Sequence, residues 1–263
     1  TIFFKWFLSF WLFGEESLIN KILFDIEDIH YFPFIFNLLD LNFSPDYLNN
    51  DVSENLIPIP IYSILFHAFF FKLFGLFSFL LLEFIFLYFF LLIITKILIK
   101  SNLNYYLAFF ASVLIFILPF ILENFQFFEI NLNNVKNLFS FRFPRPLVTS
   151  CFYFWGIYLS LIYYSQKDFS LKNYIFTAIC FAFIFVSYYY NFTSLFLLFL
   201  FIFFKKFLNE KNYLINNYLK ILISVIIFLI LTTPFFIIFK YSEPDFSSMI
   251  GVIELNYEIK KSL

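Results

Sequence analysis

Glycine, methionine, cysteine, arginine and charge of either sign are all scarce in this chain. Four Gly and one Met among 263 residues leave no glycine-rich phosphate loop and no nucleophile elbow, and no zinc-protease motif is present. Cys151 and Cys180 both fall within apolar runs, with no CxxC and no Cys/His cluster, so neither a disulfide nor a zinc site is expected. Charged residues make up 13% of the chain, against roughly a quarter in soluble domains. Of the seventeen basic residues only Arg142 and Arg145 are arginine, and the rest are scattered through short loops, which excludes a nucleic-acid surface. No internal repeat, low-complexity linker or soluble domain interrupts the sequence, so one domain is expected to fill residues 1–263.

What the chain does have is apolar surface, 62% of its residues, more than a water-soluble fold hides. The fifty Phe and eighteen Tyr accompany Ile, Asn and Lys, the residues favoured by AT-rich coding, and carry no functional meaning by themselves. Apolar runs occupy 2–13, 76–99, 104–123, 147–165, a double run at 174–204, and 219–239. Each full single run is about twenty residues, the length of a helix that crosses the hydrocarbon core. Membrane strands would alternate in polarity over roughly ten residues, whereas 76–95 offers just Ser78 and Glu83 as clearly polar positions. The expected fold class is all-α: a polytopic helical membrane bundle of about seven segments plus an interfacial helix. The run 2–13 is too short to span and the chain starts at Thr1, so truncation at one or both ends is expected. Gly14-Glu15-Glu16 stands where a small-residue cleavage site would follow a signal peptide.

Lys and Arg in short loops are retained in the cytoplasm. Lys96 and Lys100, Lys167 and Lys172, then Lys205, Lys206, Lys211 and Lys220 fall in loops that an alternating count puts on one side, which is predicted to be inside. The first outer loop, 14–57, carries Glu15, Glu16, Asp25, Glu27, Asp28, Asp40, Asp46, Asp51 and Glu54 against Lys21 alone. A separate crossing at 58–74 would bring that loop to the side of Lys96 and Lys100, so 58–74 is expected to lie along the outer interface, with Ser63 and His67 on one helical face. The double run 174–204 has lysines at both ends and needs an even number of crossings; Tyr188-Tyr189-Tyr190-Asn191 supplies the polar turn of a hairpin of two short helices.

Two segments concentrate chemistry. Asp25, Glu27, Asp28, His30 and Tyr31 lie in the acidic loop at the wet edge of the bilayer, where a carboxylate can act as general base for a hydroxyl or hold a divalent cation through its hard oxygens. The plainer reading is that outer loops are acidic because lysine is excluded from them. Arg142-Phe143-Pro144-Arg145-Pro146 puts two guanidinium groups on a proline-stiffened outer segment, suited to a phosphate or diphosphate, which Arg binds bidentately. Pairing with lipid headgroups or with Glu129 is the alternative. Glu83, inside the 76–99 run, must face protein, water or a proton, because an ionised carboxylate there costs about 2.5–3.5 kcal/mol.

The order of elements resembles the GT-C superfamily of polytopic glycosyltransferases. The likeness covers about residues 1–100: a first span, an outer loop with the acidic pair Glu27-Asp28 and Tyr31 shortly after, Pro58-Ile59-Pro60, a helix ending near Gly75 and a long apolar helix beyond it. The resemblance implies a catalytic base or metal-binding acid at Asp28 or Glu27, with Asp25 in reserve, and a sugar donor carried on polyprenyl phosphate. It implies a multi-pass protein of an inner membrane of bacterial type, with membrane lipid as its surroundings. Arg142 and Arg145 are assigned to the carrier phosphate from their own chemistry, with His30 and Tyr31 as further substrate contacts. The chain departs from the family in its incomplete first span, its many rival acids and the absence of the family's variable C-terminal domain. Competing classes are a transporter or flippase using Glu83 and the helix break near Asn191, a polysaccharide polymerase or ligase, and a non-catalytic assembly subunit.

Overall fold

The computed structural model describes residues 7, 10–15, 32–41, 61–125, 147–166, 168–187, 189–209 and 213–240. Among them every regular element is helical and none is a strand. A short helical stretch at 10–15 is followed by α1 (Phe32–Leu39), α2 (Ile61–Phe74), α3 (Phe77–Lys100), α4 (Tyr105–Phe125), α5 (Leu147–Ser165), α6 (Leu171–Ser187), α7 (Tyr189–Asn209) and α8 (Tyr213–Lys240). Among the described residues three stretches are long and apolar enough to cross a membrane: Phe77–Lys100, Asn191–Asn209 and Ile215–Ile238. The outward faces of the last two show why water is the wrong solvent. Leu197, Phe201, Leu208, Ile215, Leu219 and Ile230 are each more than 60% exposed, and a continuous apolar surface of that kind marks contact with lipid or partner protein.

Helix α3 is the centre of the bundle: half of its most apolar window is buried, against 11% for α8 at the rim. Beside it α5 runs parallel. The Cys151 thiol donates to the Phe86 carbonyl at 3.2 Å, Phe90 meets Phe154 edge-to-face at 5.4 Å, and Lys96 lies over the Tyr158 ring at 5.9 Å. Helix α4 returns antiparallel, with the Thr95 and Ser112 hydroxyls 2.9 Å apart. Helix α6 runs antiparallel to α5, with Phe152 stacked on Phe183 at 3.9 Å and Tyr163 near Tyr174 at 6.1 Å. Helix α7 again follows α5, Tyr163 stacking on Phe199 at 4.6 Å. Last, α8 runs parallel to α6: Ser224 donates to the Tyr174 carbonyl at 3.2 Å, and Phe185 meets Phe235 at 5.9 Å.

The turns are built from local chemistry. Asn102 adopts φ +71°, its N–H donating to the Ile99 carbonyl and that of Leu103 to the Leu98 carbonyl, a Schellman end for α3 in which Asn takes the left-handed position. Two residues on, the Asn104 side-chain oxygen accepts the Leu107 N–H at 2.8 Å and caps α4. At the other end of α3, Gly75 at φ +58° reverses the chain in one step. Helix α2 therefore lies antiparallel along the first half of α3, with Phe71 by Phe79 at 5.8 Å and Phe66 by Phe86 at 5.4 Å. The segment expected along the outer interface forms α2, which pairs with α3 as a helical hairpin and buries Ser63, Ile64, His67 and Ala68.

The 101–104 and 166–170 turns and the start of α8 gather at one end, hereafter the lysine end. There the Tyr213 hydroxyl meets those of Tyr163 and Tyr174, the latter at 2.9 Å, and all three tyrosines are buried. Lys206 donates to the Gln166 carbonyl and lies 4.9 Å over the Tyr163 ring; Lys205 donates to the Tyr164 hydroxyl at 2.9 Å. Lys220 pairs with Asp168 at 2.6 Å, a water-exposed bridge of the kind that contributes at most about 1 kcal/mol. These contacts tie the α5–α6 turn to α7 and α8.

Candidate functional site

The end of the bundle opposite the lysines holds the features that a membrane-facing site needs. Helix α8 contains Pro234, which has no N–H for the Ile230 carbonyl and whose ring opens that turn. The hydroxyl of Tyr62, on the first turn of α2, donates to the carbonyl of the next residue, Leu231, in the turn that the proline ring crowds. Between α2, α6 and α8 lies an apolar groove of about 350 Å³ lined by Tyr62, Leu65, Phe66, Phe69, Ala182 and Phe183 among others. Ala182, buried, is the smallest side chain among its walls. Phe183 and Leu231 sit far along helices whose first turns lie by Lys172 and Lys220, so the groove is in the half of the bundle away from the lysine end.

Behind the groove runs a layer of buried polar side chains. On α2 the His67 Nδ1 sits 2.5 Å from the Ser63 carbonyl, one turn earlier; with Nδ1–H as donor, the neutral tautomer has Nε2 as its acceptor. Glu83 on α3 is buried, as are Thr149 and Ser150 in the first turn of α5. The Cys151–Phe86 contact sets the register: one turn before Phe86 is Glu83, and one turn before Cys151 is Val148, so the carboxyl lies level with the start of α5.

Of the residues singled out from sequence, Asp25, Glu27, Asp28, His30, Tyr31, Arg142 and Arg145 lie outside the described residues, as does Tyr188 at the α6–α7 break. Their nearest described neighbours are informative. Helix α1, directly after Tyr31, packs Phe36 against Phe71 at 5.0 Å, next to the Gly75 turn. Helix α5, directly after Pro146, begins at the end opposite its Tyr158–Lys96 contact. Both therefore belong to the end away from the lysines. The groove escaped the sequence reading because its walls come from positions 62, 182 and 231, which no local pattern connects. Among the described residues no cluster of three or more His, Cys, Asp or Glu side chains gathers as a metal site.

The class these features define is an α-helical membrane protein, with a lysine-lined end, an opposite end carrying a groove, and a carboxyl buried in its central helix. Comparison with protein-family models, curated proteins and solved structures finds no match to the chain.

Proposed function

We propose that this chain is the membrane domain of a GT-C-type glycosyltransferase that takes its sugar from a polyprenyl-phosphate carrier at the non-cytoplasmic face. The observation that carries the reading is the apolar groove between α2, α6 and α8. It opens beside lipid, in the half of the bundle to which the acidic and arginine-bearing segments attach, and its aromatic and aliphatic walls suit an isoprenoid chain. In this reading the bundle is multi-pass, with about seven segments, its lysine end in the cytoplasm and the α2–α3 turn at the outer interface. Arg142 and Arg145 hold the carrier phosphate. Asp28 takes the proton of the acceptor hydroxyl as that oxygen attacks the anomeric carbon, and the carrier phosphate leaves with the electron pair of the broken bond. Glu27 and Asp25 are positioned to assist it or to hold a divalent cation.

The test is transfer of radiolabelled sugar from a panel of polyprenyl-phosphate donors by membranes carrying the full-length gene. Asp28→Asn is expected to lower transfer by about 10²–10⁴-fold, the usual contribution of a general base, and Arg145→Ala to raise the donor KM. Ala182→Phe, which fills the groove, should impair long-chain donors more than short-chain ones. Full activity in Asp28→Asn, or equal loss on both chain lengths in Ala182→Phe, would sink the assignment. A second reading, transport, draws on the buried Glu83 in the central membrane helix; it gains if Glu83→Gln abolishes substrate movement in a protein that transfers no sugar.

A further inference from the structure

The lysine end carries charge of two kinds. Lys205, Lys206 and Lys220 are spent on the protein: they donate to the Tyr164 hydroxyl, the Gln166 carbonyl and the Asp168 carboxylate. Lys96 and Lys100 donate to no such oxygen among the described residues, Lys96 only lying over the Tyr158 ring at 5.9 Å. They stand one turn apart at the end of α3, both exposed, and the ion pair described at this end is that of Lys220, not theirs. With Ile99, Asn102 and Tyr158 they line an open depression of about 290 Å³ between the α3–α4 turn and α5. The cup is rigid, since the Schellman end of α3 fixes Asn102 and the Asn104 cap fixes the start of α4. Immediately beside it, the exposed faces of Leu103, Tyr106, Phe109 and Phe110 continue along α4 as apolar surface.

Two ammonium groups with no carboxylate partner among the described residues, an amide and a phenol around one cup, bordered on one side by an apolar helix face, match a phosphate that arrives attached to hydrocarbon. We propose that Lys96, Lys100, Asn102 and Tyr158 seat the phosphodiester of an anionic phospholipid from the leaflet at the lysine end, with its acyl chains along α4. The shared chemistry is the phosphate; the α4 face favours a lipid over a soluble ester. Basic cups between membrane helices at the cytoplasmic edge are general headgroup sites, each lysine near the surface strengthening binding several-fold.

Purified full-length protein in detergent, examined by native mass spectrometry with dioleoyl phosphatidylglycerol and dioleoyl phosphatidylcholine, tests the seat. The double variant Lys96→Gln/Lys100→Gln is expected to bind phosphatidylglycerol about tenfold more weakly or worse, with phosphatidylcholine unaffected. The control pair Lys172→Gln/Lys205→Gln is expected to change it less than about threefold. Millimolar sn-glycerol 3-phosphate should not displace the lipid. An equal fall in both double variants would make the attraction diffuse and overturn the seat, as would no fall at all; displacement by glycerol phosphate would replace the lipid by a soluble phosphate ester. Should the double variant not purify, Lys100→Gln alone, an exposed change, is expected to weaken binding about threefold, and unchanged binding there overturns the proposal as well.

Discussion

At the scale of single residues, the contact between α5 and α7 rests on Gly156. A Cβ added there would lie 2.4 Å from Leu195 Cδ2 and 3.3 Å from Cγ, so Leu195, 1% exposed, would have to shift among the side chains that bury it. Small residues allow membrane helices to approach without help from a hydrophobic drive between them. Gly156→Val is therefore expected to destabilise the bundle by about 1–3 kcal/mol, the usual cost of overpacking, and Leu195→Ala in the same chain to return part of that loss. The thiols of Cys151 and Cys180, both buried, give a direct readout, since a thiol-reactive dye labels them as the bundle opens. Equal midpoints for Gly156→Val and the parent would show that α7 stands farther from α5 than the fold has it. Nothing in the sequence distinguishes Gly156 from the other three glycines; its role exists because Leu195, thirty-nine positions away, folds onto it.

At the scale of elements, helix existence was the legible part. Within the described residues the apolar runs became helices, and the helix carries through Pro119, Gly156 and Pro234, which stand inside three of those runs. The orientation of α2 was not legible, because a reversal at Gly75 needs the left-handed backbone and a partner face on α3, and the hydrophobic pattern of α2, apolar on every side, shows no preferred face. The α8 proline shows the same limit. Pro234 is visible in the sequence, but the hydroxyl that donates into its turn, that of Tyr62, comes from the far end of the chain. Tyr62→Phe is expected to cost about 1 kcal/mol, typical of an interhelical hydrogen bond in a membrane protein, and to cost less in a Pro234→Ala background, where the turn closes without the proline ring and the Phe235 N–H serves the Leu231 carbonyl. A double-mutant cycle on thermal midpoints measures this; additive effects would uncouple the two residues.

At the scale of the whole molecule, parallel α3 and α5 force the 101–104 and 166–170 turns to one end, whatever the surroundings. If that end is cytoplasmic, as the lysine distribution predicts, cysteines introduced as Ser101→Cys and Ser170→Cys, both at exposed positions, react with a membrane-impermeant maleimide only after the cells are permeabilised. Labelling of the two from opposite sides would contradict the bundle itself, while labelling of both in intact cells would invert its orientation and move the groove to the cytoplasmic half. The candidate acids and arginines were legible as chemistry, since carboxylates and guanidinium groups stand out in an apolar chain. The groove was not, for it is a gap between three helices and has no residue of its own.

The sequence by itself determined that the chain is helical and suited to a membrane, because hydropathy and run length are local properties that act residue by residue through transfer from water to hydrocarbon. Which helices lie side by side, in which direction, and which lysines are spent on the protein were decided by tertiary structure alone. In a chain whose helices are apolar on nearly every face, burial does not choose a partner; close packing does, through the fit of Gly156 to Leu195, Ala182 beside its groove, and the few hydroxyls that must find an acceptor.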